Sequence, residues 1–400
     1  MDVLAGGGVT SAKGYQAGSV AAGIKKTGAL DLCIVASDRA AAAAGVFTTN
    51  MVRAAPVDLC EQRLQRGRRA RAFIVNAGNA NACTGQRGWS DAAEMARLAA
   101  DKVGAAPEEV LVASTGVIGV HLPMDRIRAG VARIELSLDG GAAAAQAIMT
   151  TDLRSKEFAV QIQVSGATIT IGGMSKGSGM IHPNMATLLA FVTTDAAVEP
   201  TFLQTALKAA TDRSFNMITV DGDTSTNDTL IIMANGAAGN RPIAGGTPEA
   251  AAFQAALDEV TIQLAKAVAR DGEGATKLIE VRVNGALTDR DARLAARGIA
   301  SSSLLKTAVY GADPNWGRII CALGYSGASV DSNRTDIAIG DVWLMHDGKI
   351  LSFDRESAVA EMAGPDVIIR ADLHLGSASA VAWGCDLTEQ YVEINGKYTT

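Results

Sequence analysis

Lys176-Gly177-Ser178-Gly179-Met180-Ile181-His182-Pro183-Asn184-Met185-Ala186-Thr187-Leu188-Leu189-Ala190-Phe191 is the stretch on which the reading of this chain turns. Gly177, Gly179 and Pro183 bar a regular helix at its start. From Met185 to Val192 the run carries no charge. A small residue, Ala186, meets a threonine, Thr187, where a flexible loop enters a buried segment. That arrangement suits a chain that cuts itself. A threonine hydroxyl attacks the carbonyl before it, and the cut leaves the threonine as a new N-terminus. Its free amine then serves as base for its own hydroxyl. A threonine that merely caps or packs at the start of an apolar strand has the same local sequence.

Outward from this stretch the pattern is mixed. Upstream, Ala167 to Gly172 alternates as a strand and feeds the loop. Residues up to about 60 read as short strands joined by glycine turns. Ala72-Phe73-Ile74-Val75 reads as a buried strand running into Asn76-Ala77-Gly78-Asn79-Ala80-Asn81, residues that tolerate positive φ and suit a loop against a ligand. Ser90-Asp91 is expected to open a helix through about Val103. Val110 to Ala113 is a strand ending in Ser114-Thr115-Gly116. Downstream, a helix is expected near Pro200, a strand at Leu230-Ile231-Ile232-Met233, and a helix capped by Thr247 with Pro248 in its first turn. Leu257, Val260, Leu264 and Val268 keep helical spacing up to the stop at Asp271-Gly272-Glu273-Gly274. Ile279, Val281 and Val283 alternate with Glu280 and Arg282, a half-exposed strand. From about residue 285, Gly/Asp turns separate short strands and helices, a separate α+β unit.

Composition excludes several classes. A chain of 400 residues, 48% hydrophobic, buries a large core, while 4% aromatics and 42 glycines imply small side chains and tight turns. A net charge of -6 speaks against nucleic acid. The one basic cluster, Arg63 to Arg71, reads as a solvated helix end. Cys33, Cys60, Cys83, Cys321 and Cys385 form no CxxC pair and fit reduced thiols in a cytosolic protein. No apolar run approaches the roughly 18 residues of a membrane span. Met1-Asp2-Val3-Leu4-Ala5 has no basic region of a signal peptide, so a cytoplasmic location is expected.

Several motifs match by letter alone. Gly173-Met174-Ser175-Lys176-Gly177 spells the nucleophile elbow G-x-S-x-G, but no helix can follow it here. Asp221 to Asp228 resembles a calcium loop without its central glycine or closing glutamate. His121, His182, His346 and His374 lack metal-ligand spacing, so no metal is expected, and His182 reads as structural. What remains is Thr187 as candidate nucleophile and Ser114-Thr115-Gly116, whose hydroxyl and glycine N–H can form an oxyanion hole or a plain turn. Lys176 could meet a carboxylate, and Glu273, between two glycines, could bind an amino group or simply mark a helix stop.

Lys176 to Thr187 closely resembles the cleavage segment of the ornithine acetyltransferases, or glutamate N-acetyltransferases. These are arginine-biosynthesis enzymes with the DmpA/ArgJ-like fold. Further strings resemble the family in order: Ser114 to Gly119, Ile148-Met149-Thr150-Thr151-Asp152, Asp221 to Asp228, Asp271 to Lys277, and Gly311-Ala312-Asp313-Pro314-Asn315-Trp316-Gly317-Arg318. The resemblance covers essentially the whole chain. It implies a layered αββα sandwich with a smaller α+β unit toward the C-terminus. It implies cleavage between Ala186 and Thr187 into an alpha chain, 1–186, and a beta chain, 187–400, which stay associated as a heterotetramer or larger symmetric assembly. Thr187 is then the nucleophile, and Thr115 and Gly116 hold the oxyanion. Thr150, Lys176, Thr187, Glu273, Asn395 and Thr400 bind substrate.

The implied reaction is ping-pong. The acetyl group of N2-acetyl-ornithine passes to Thr187 and then to glutamate, with no cofactor, and acetyl-CoA is a possible further donor. A relative acting on other acyl groups, or an autoprocessed aminopeptidase or amidase of the same fold, is the alternative. A non-enzymatic binding protein fits the intact nucleophile less well.

Overall fold

The computed structural model describes residues 1–182 and 188–397. Ala186, Thr187 and Thr400, three of the expected site positions, lie outside the described residues.

Among the described residues, the larger sheet has nine strands. They are β1 (Asp2–Val3), β2 (Tyr15–Val20), β3 (Leu32–Phe47), β4 (Arg69–Asn79), β5 (Val110–Val117), β6 (Lys156–Val164), β7 (Ala167–Lys176), β8 (Leu189–Thr194) and β9 (Thr229–Ala234). Their order is β1-β6-β7-β8-β9-β3-β4-β5, with β2 beside β3. β6 and β7 form a hairpin closed by Ser165 and Gly166, both at positive φ, as a tight two-residue turn demands. β8 runs antiparallel to β7 and parallel to β9.

Side-chain alternation builds a core on each face of this sheet. Leu189 and Phe191 of β8 enter one core, Ala190 and Val192 the other. The first core is closed by α1 (Ala55–Gly67), α2 (Gly85–Val103), α3 (Met124–Arg133) and α4 (Gly141–Ala147). The second is closed by α5 (Pro200–Arg213) and α6 (Pro248–Arg270). α6 begins as its sequence predicts, with Thr247 Oγ1 accepting the Ala250 N–H at 3.1 Å.

The same second core continues into a six-stranded sheet of order β13-β12-β11-β14-β10-β15. These strands are β10 (Leu278–Ala286), β11 (Asp336–Ile339), β12 (Val342–His346), β13 (Lys349–Ile350), β14 (Asp366–Asp372) and β15 (Ala378–Cys385). With them go α7 (Asp289–Ser301), α8 (Ser303–Tyr310), α9 (Trp316–Gly324), α10 (Arg355–Ala363) and α11 (Glu389–Lys397). The layered α/β sandwich with a smaller C-terminal α+β unit is therefore present. No helix among the described residues is long and apolar enough to cross a membrane.

Four local expectations need correction. The first 60 residues are not all short strands: β3 is 16 residues long, and α1 follows it. Alanines 40–44 carry little strand propensity, and pairing with β4 and β9 on either side imposes the strand. The basic cluster is split: Arg63 and Arg66 lie on α1, Arg69 and Arg71 on β4, and the Arg63 guanidinium donates to the Val110 carbonyl. α2 starts at Gly85, not Ser90, because the Ser90 hydroxyl bonds back to the Gln86 carbonyl within the helix. β4 and β5 run on through Asn79 and Val117, so neither Asn76–Asn79 nor Ser114-Thr115-Gly116 is a free loop.

Candidate active site

A cavity of about 370 Å³ opens where β5, β7 and β8 end. Its lining includes Thr115, Gly116, Thr150, Lys176, Glu273 and Asn395. Five separate places in the fold contribute: β5, the bend after α4, the end of β7, the stop after α6, and α11. Leu188 and Leu189, directly after the expected cut, line it too.

Each group is fixed by its own backbone. Gly116 sits at φ +131°, and a Cβ there would stand 2.3 Å from the Gly78 carbonyl carbon of the paired strand. Only glycine permits that approach, and its neighbour Thr115 stands at the cavity wall. The strand end is tied down from below: Ser114 Oγ donates to Asn76 Oδ1 at 2.6 Å, and Asn227 Nδ2 donates to the Ser114 carbonyl at 2.9 Å.

Lys176 ends β7 opposite Leu189 and is buried. Its Nζ lies 3.4 Å from Thr115 Oγ1. Burial lowers its pKa, and Asp152 is the strongest influence opposing that. Asp152 in turn accepts Lys156 Nζ at 2.6 Å, the Gly177 N–H at 2.7 Å and the Thr150 N–H at 2.9 Å. Burial pushes the Asp152 carboxyl up, but Lys176, Lys156 and these donors together hold it well below the usual carboxylate range. Lys156 also reaches Asp271 at 2.6 Å, so one buried ammonium joins the Thr150 bend to the stop after α6.

Glu273 is brought to the same wall by its N–H, which donates to the Ser178 carbonyl at 3.0 Å. Any side chain at Gly179 would collide with the Glu273 carboxylate at 2.5 Å. Asn395 Nδ2 donates to Glu273 Oε2 at 2.7 Å, so α11 does fold back onto the cavity. The cavity thus offers an ammonium, a carboxylate and a hydroxyl beside a glycine N–H. That set can grip a zwitterionic amino acid and stabilise an oxyanion.

A model of the ArgJ family matches residues 16–400. The chain belongs to the ArgJ family. It is 57% identical to the arginine biosynthesis bifunctional protein ArgJ of Symbiobacterium thermophilum, over 100% of both chains. It is 52% identical to the protein of that name from Dehalococcoides mccartyi, over 100% of this chain and 99% of the other. Among solved structures, the arginine biosynthesis bifunctional protein argJ from Bacillus halodurans is 51% identical with a TM-score of 0.51, covering 52% of this chain and 98% of its own.

The motifs set aside in this ArgJ-family chain have structural roles. Ser175 lies inside β7, fully buried, and pairs with Ala190, so it is no nucleophile elbow. The Asp221–Asp228 string grips the segment before the expected cut. Asp221 accepts the Met180 and Ile181 N–H groups at 2.6 and 2.9 Å, and Thr224 Oγ1 donates to the His182 carbonyl at 3.0 Å. His182 is held between Thr219 Oγ1 at 3.0 Å and Arg297 at 2.9 Å, with burial and then Arg297 pushing its pKa down to about 4. Cys83 is exposed.

Sequence reasoning left Lys156, Asn227 and Asp228 without a role. Asp152 and Lys156 stand four apart in sequence, but nothing in that spacing signals that Asp271 completes the cluster.

Proposed function

We propose that this chain is an acetyltransferase of arginine biosynthesis that cuts itself between Ala186 and Thr187. It then moves the acetyl group of N2-acetyl-ornithine to glutamate. The observation that carries the reading is the gathering of Thr115, Gly116, Thr150, Lys176, Glu273 and Asn395 around one cavity that Leu188 and Leu189 also line. The names of its relatives, arginine biosynthesis bifunctional proteins, point the same way. The solved relative spans about half of this chain yet 98% of its own, the length that a cut near the middle leaves.

In this reading the chain divides into 1–186 and 187–400, the latter containing the C-terminal unit from about 285. The Thr187 amine takes the proton of its own hydroxyl, which attacks the acetyl carbon. Thr115 Oγ1 and the Gly116 N–H receive the oxyanion. Ornithine leaves, an acetyl-Thr187 ester remains, and the glutamate amine takes the acetyl group in a second, ping-pong half-reaction. Thr150, Lys176, Glu273, Asn395 and Thr400 hold the amino-acid charges. Cofactors are unnecessary, because the threonine carries the acetyl group. The cytoplasm and a symmetric assembly of cut protomers complete the reading.

The test is direct. Denaturing electrophoresis of the purified protein is expected to give two fragments, the second starting at Thr187 on N-terminal sequencing. Thr187→Ala is expected to give one inactive chain. Cleavage of that variant, or full activity in uncut wild type, overturns the mechanism. Acetate release without transfer to glutamate would favour an amidase instead, and N-acetylglutamate formed from acetyl-CoA would add the second donor.

A further inference from the structure

Lys176 is a buried donor with a single recipient. Among the described residues its side chain forms no ion pair and one hydrogen bond, from Nζ to Thr115 Oγ1 at 3.4 Å. The carboxylates around it are engaged elsewhere or make no hydrogen bond to it. Asp152 accepts Lys156 and the Gly177 N–H, and Glu273 accepts Asn395. Asp228 acts on Lys176 through its charge alone. Burial favours the neutral amine of Lys176, against the pull of Asp152, Glu273 and Asp228 toward the ammonium. An ammonium carries three N–H donors and no acceptor, so toward Thr115 it only donates.

Thr115 is the other half of the pair. A hydroxyl that accepts on its oxygen keeps its own proton to give. Among the described residues no acceptor takes that proton. Both residues line the cavity, and so does Gly116. The strand end carrying Thr115 is tied through Ser114 to Asn76 and Asn227, and the bond from the Gly177 N–H to Asp152 pins the backbone next to Lys176. Two fixed strand ends therefore bring an N–H to the hydroxyl oxygen and leave its O–H for whatever fills the cavity.

We propose that Lys176 is the positioning residue of the Thr115 hydroxyl. Its N–H occupies a lone pair of Oγ1, turns the hydroxyl proton toward the cavity and, by polarising the hydroxyl, makes that proton a stronger donor. The inference rests on the acetyl-transfer reading above, in which Thr115 receives the oxyanion. No bond to Lys176 forms or breaks, and it gives up no proton. Its other N–H groups remain to hold a substrate carboxylate, and the two roles separate in the kinetics.

The experiment is steady-state kinetics on N2-acetyl-ornithine with saturating glutamate, expressed per cut protomer. It compares wild type with Lys176→Met, Thr115→Ala and the double variant. A lysine that only grips a carboxylate would raise KM and leave kcat unchanged. A positioning lysine lowers kcat. Lys176→Met is expected to lose about 10-fold or more in kcat when Thr115 is present. With Thr115→Ala already made, it is expected to lose less than about twofold, because no hydroxyl is left to direct. A kcat for Lys176→Met within about twofold of wild type, or losses that multiply in the double variant, overturns the proposal and leaves acetyl transfer standing. If Lys176→Met does not fold, as judged by its melting curve, Lys176→Gln takes its place, since its shorter, neutral side chain also removes the ammonium, and the same two outcomes decide. A wild type that moves no acetyl group from N2-acetyl-ornithine overturns both.

Discussion

At Gly116 the backbone does something no other residue can do without moving its neighbour strand. A methyl group there would meet Gly78 and Asn79 main-chain atoms at 2.3 and 2.5 Å. Both Thr115 and Gly116 line the cavity, where the proposed reading has the Thr115 hydroxyl receive the oxyanion. Thr115→Ala is therefore expected to lower kcat for acetyl transfer by roughly 10²- to 10³-fold with little change in KM, because an oxyanion contact strengthens in the transition state. Steady-state kinetics on N2-acetyl-ornithine and glutamate check this, and an unchanged kcat removes Thr115 from the site. Asn395 acts differently. It holds Glu273 from an exposed helix, so its bond is partly screened. Asn395→Ala is expected to raise KM for both amino acids about three- to tenfold and to leave cleavage intact. A variant with wild-type KM would mean that α11 only rests on the cavity.

At the scale of elements, the order of strands matters most. β8 and β9 lie between β7 and β3 in the larger sheet, although both follow residue 187 and their neighbours precede it. A cut before Leu188 would leave every ladder bond of β8 in place. Phe191 of β8 stacks on Phe73 of β4 at 4.4 Å with both rings buried, so the two pieces also share one apolar layer. The pieces are expected to co-purify and to melt in one transition. Phe191→Ala removes a fully buried ring and is expected to cost about 3–5 kcal/mol, seen as a lower melting temperature in calorimetry. Two separate melting transitions in wild type would contradict the shared sheet.

At the scale of the molecule, the half-buried His182 and the buried Asp152 make stability depend on pH in a definite direction. His182 titrates near 4 in the folded protein, below the ordinary histidine value of about 6.5. Between those values the unfolded chain binds a proton that the folded chain refuses. Stability is therefore full above about pH 6.5 and declines as pH falls toward 4. Asp152, held below the usual range by Lys176 and Lys156 despite its burial, adds a second loss at still lower pH, beneath the ordinary value of about 3.9. Melting temperatures measured down this range are expected to fall in that order. His182→Asn is expected to flatten the first part of the decline, and an unaltered slope would assign the loss to other groups.

Much of this was legible in the chain itself. Thr247-Pro248, the alternation at Ile279, Val281 and Val283, and the apolar run after Thr187 each specify their element through local propensity and period, and each forms as read. The glycines at 116 and 179 were also visible, since only a position that needs them keeps a residue so costly in a strand or loop. What the sequence could not decide was long-range. β3 is a strand because β4 and β9 flank it, not because of its alanines. The Asp152–Lys156–Asp271 cluster and the unpartnered Asp228 oxygen arise from residues whose separation along the chain says nothing about their distance in space. Periodicity reports which face of an element is buried. Only the packed sheet decides which buried polar groups find partners and which one is left facing the cavity.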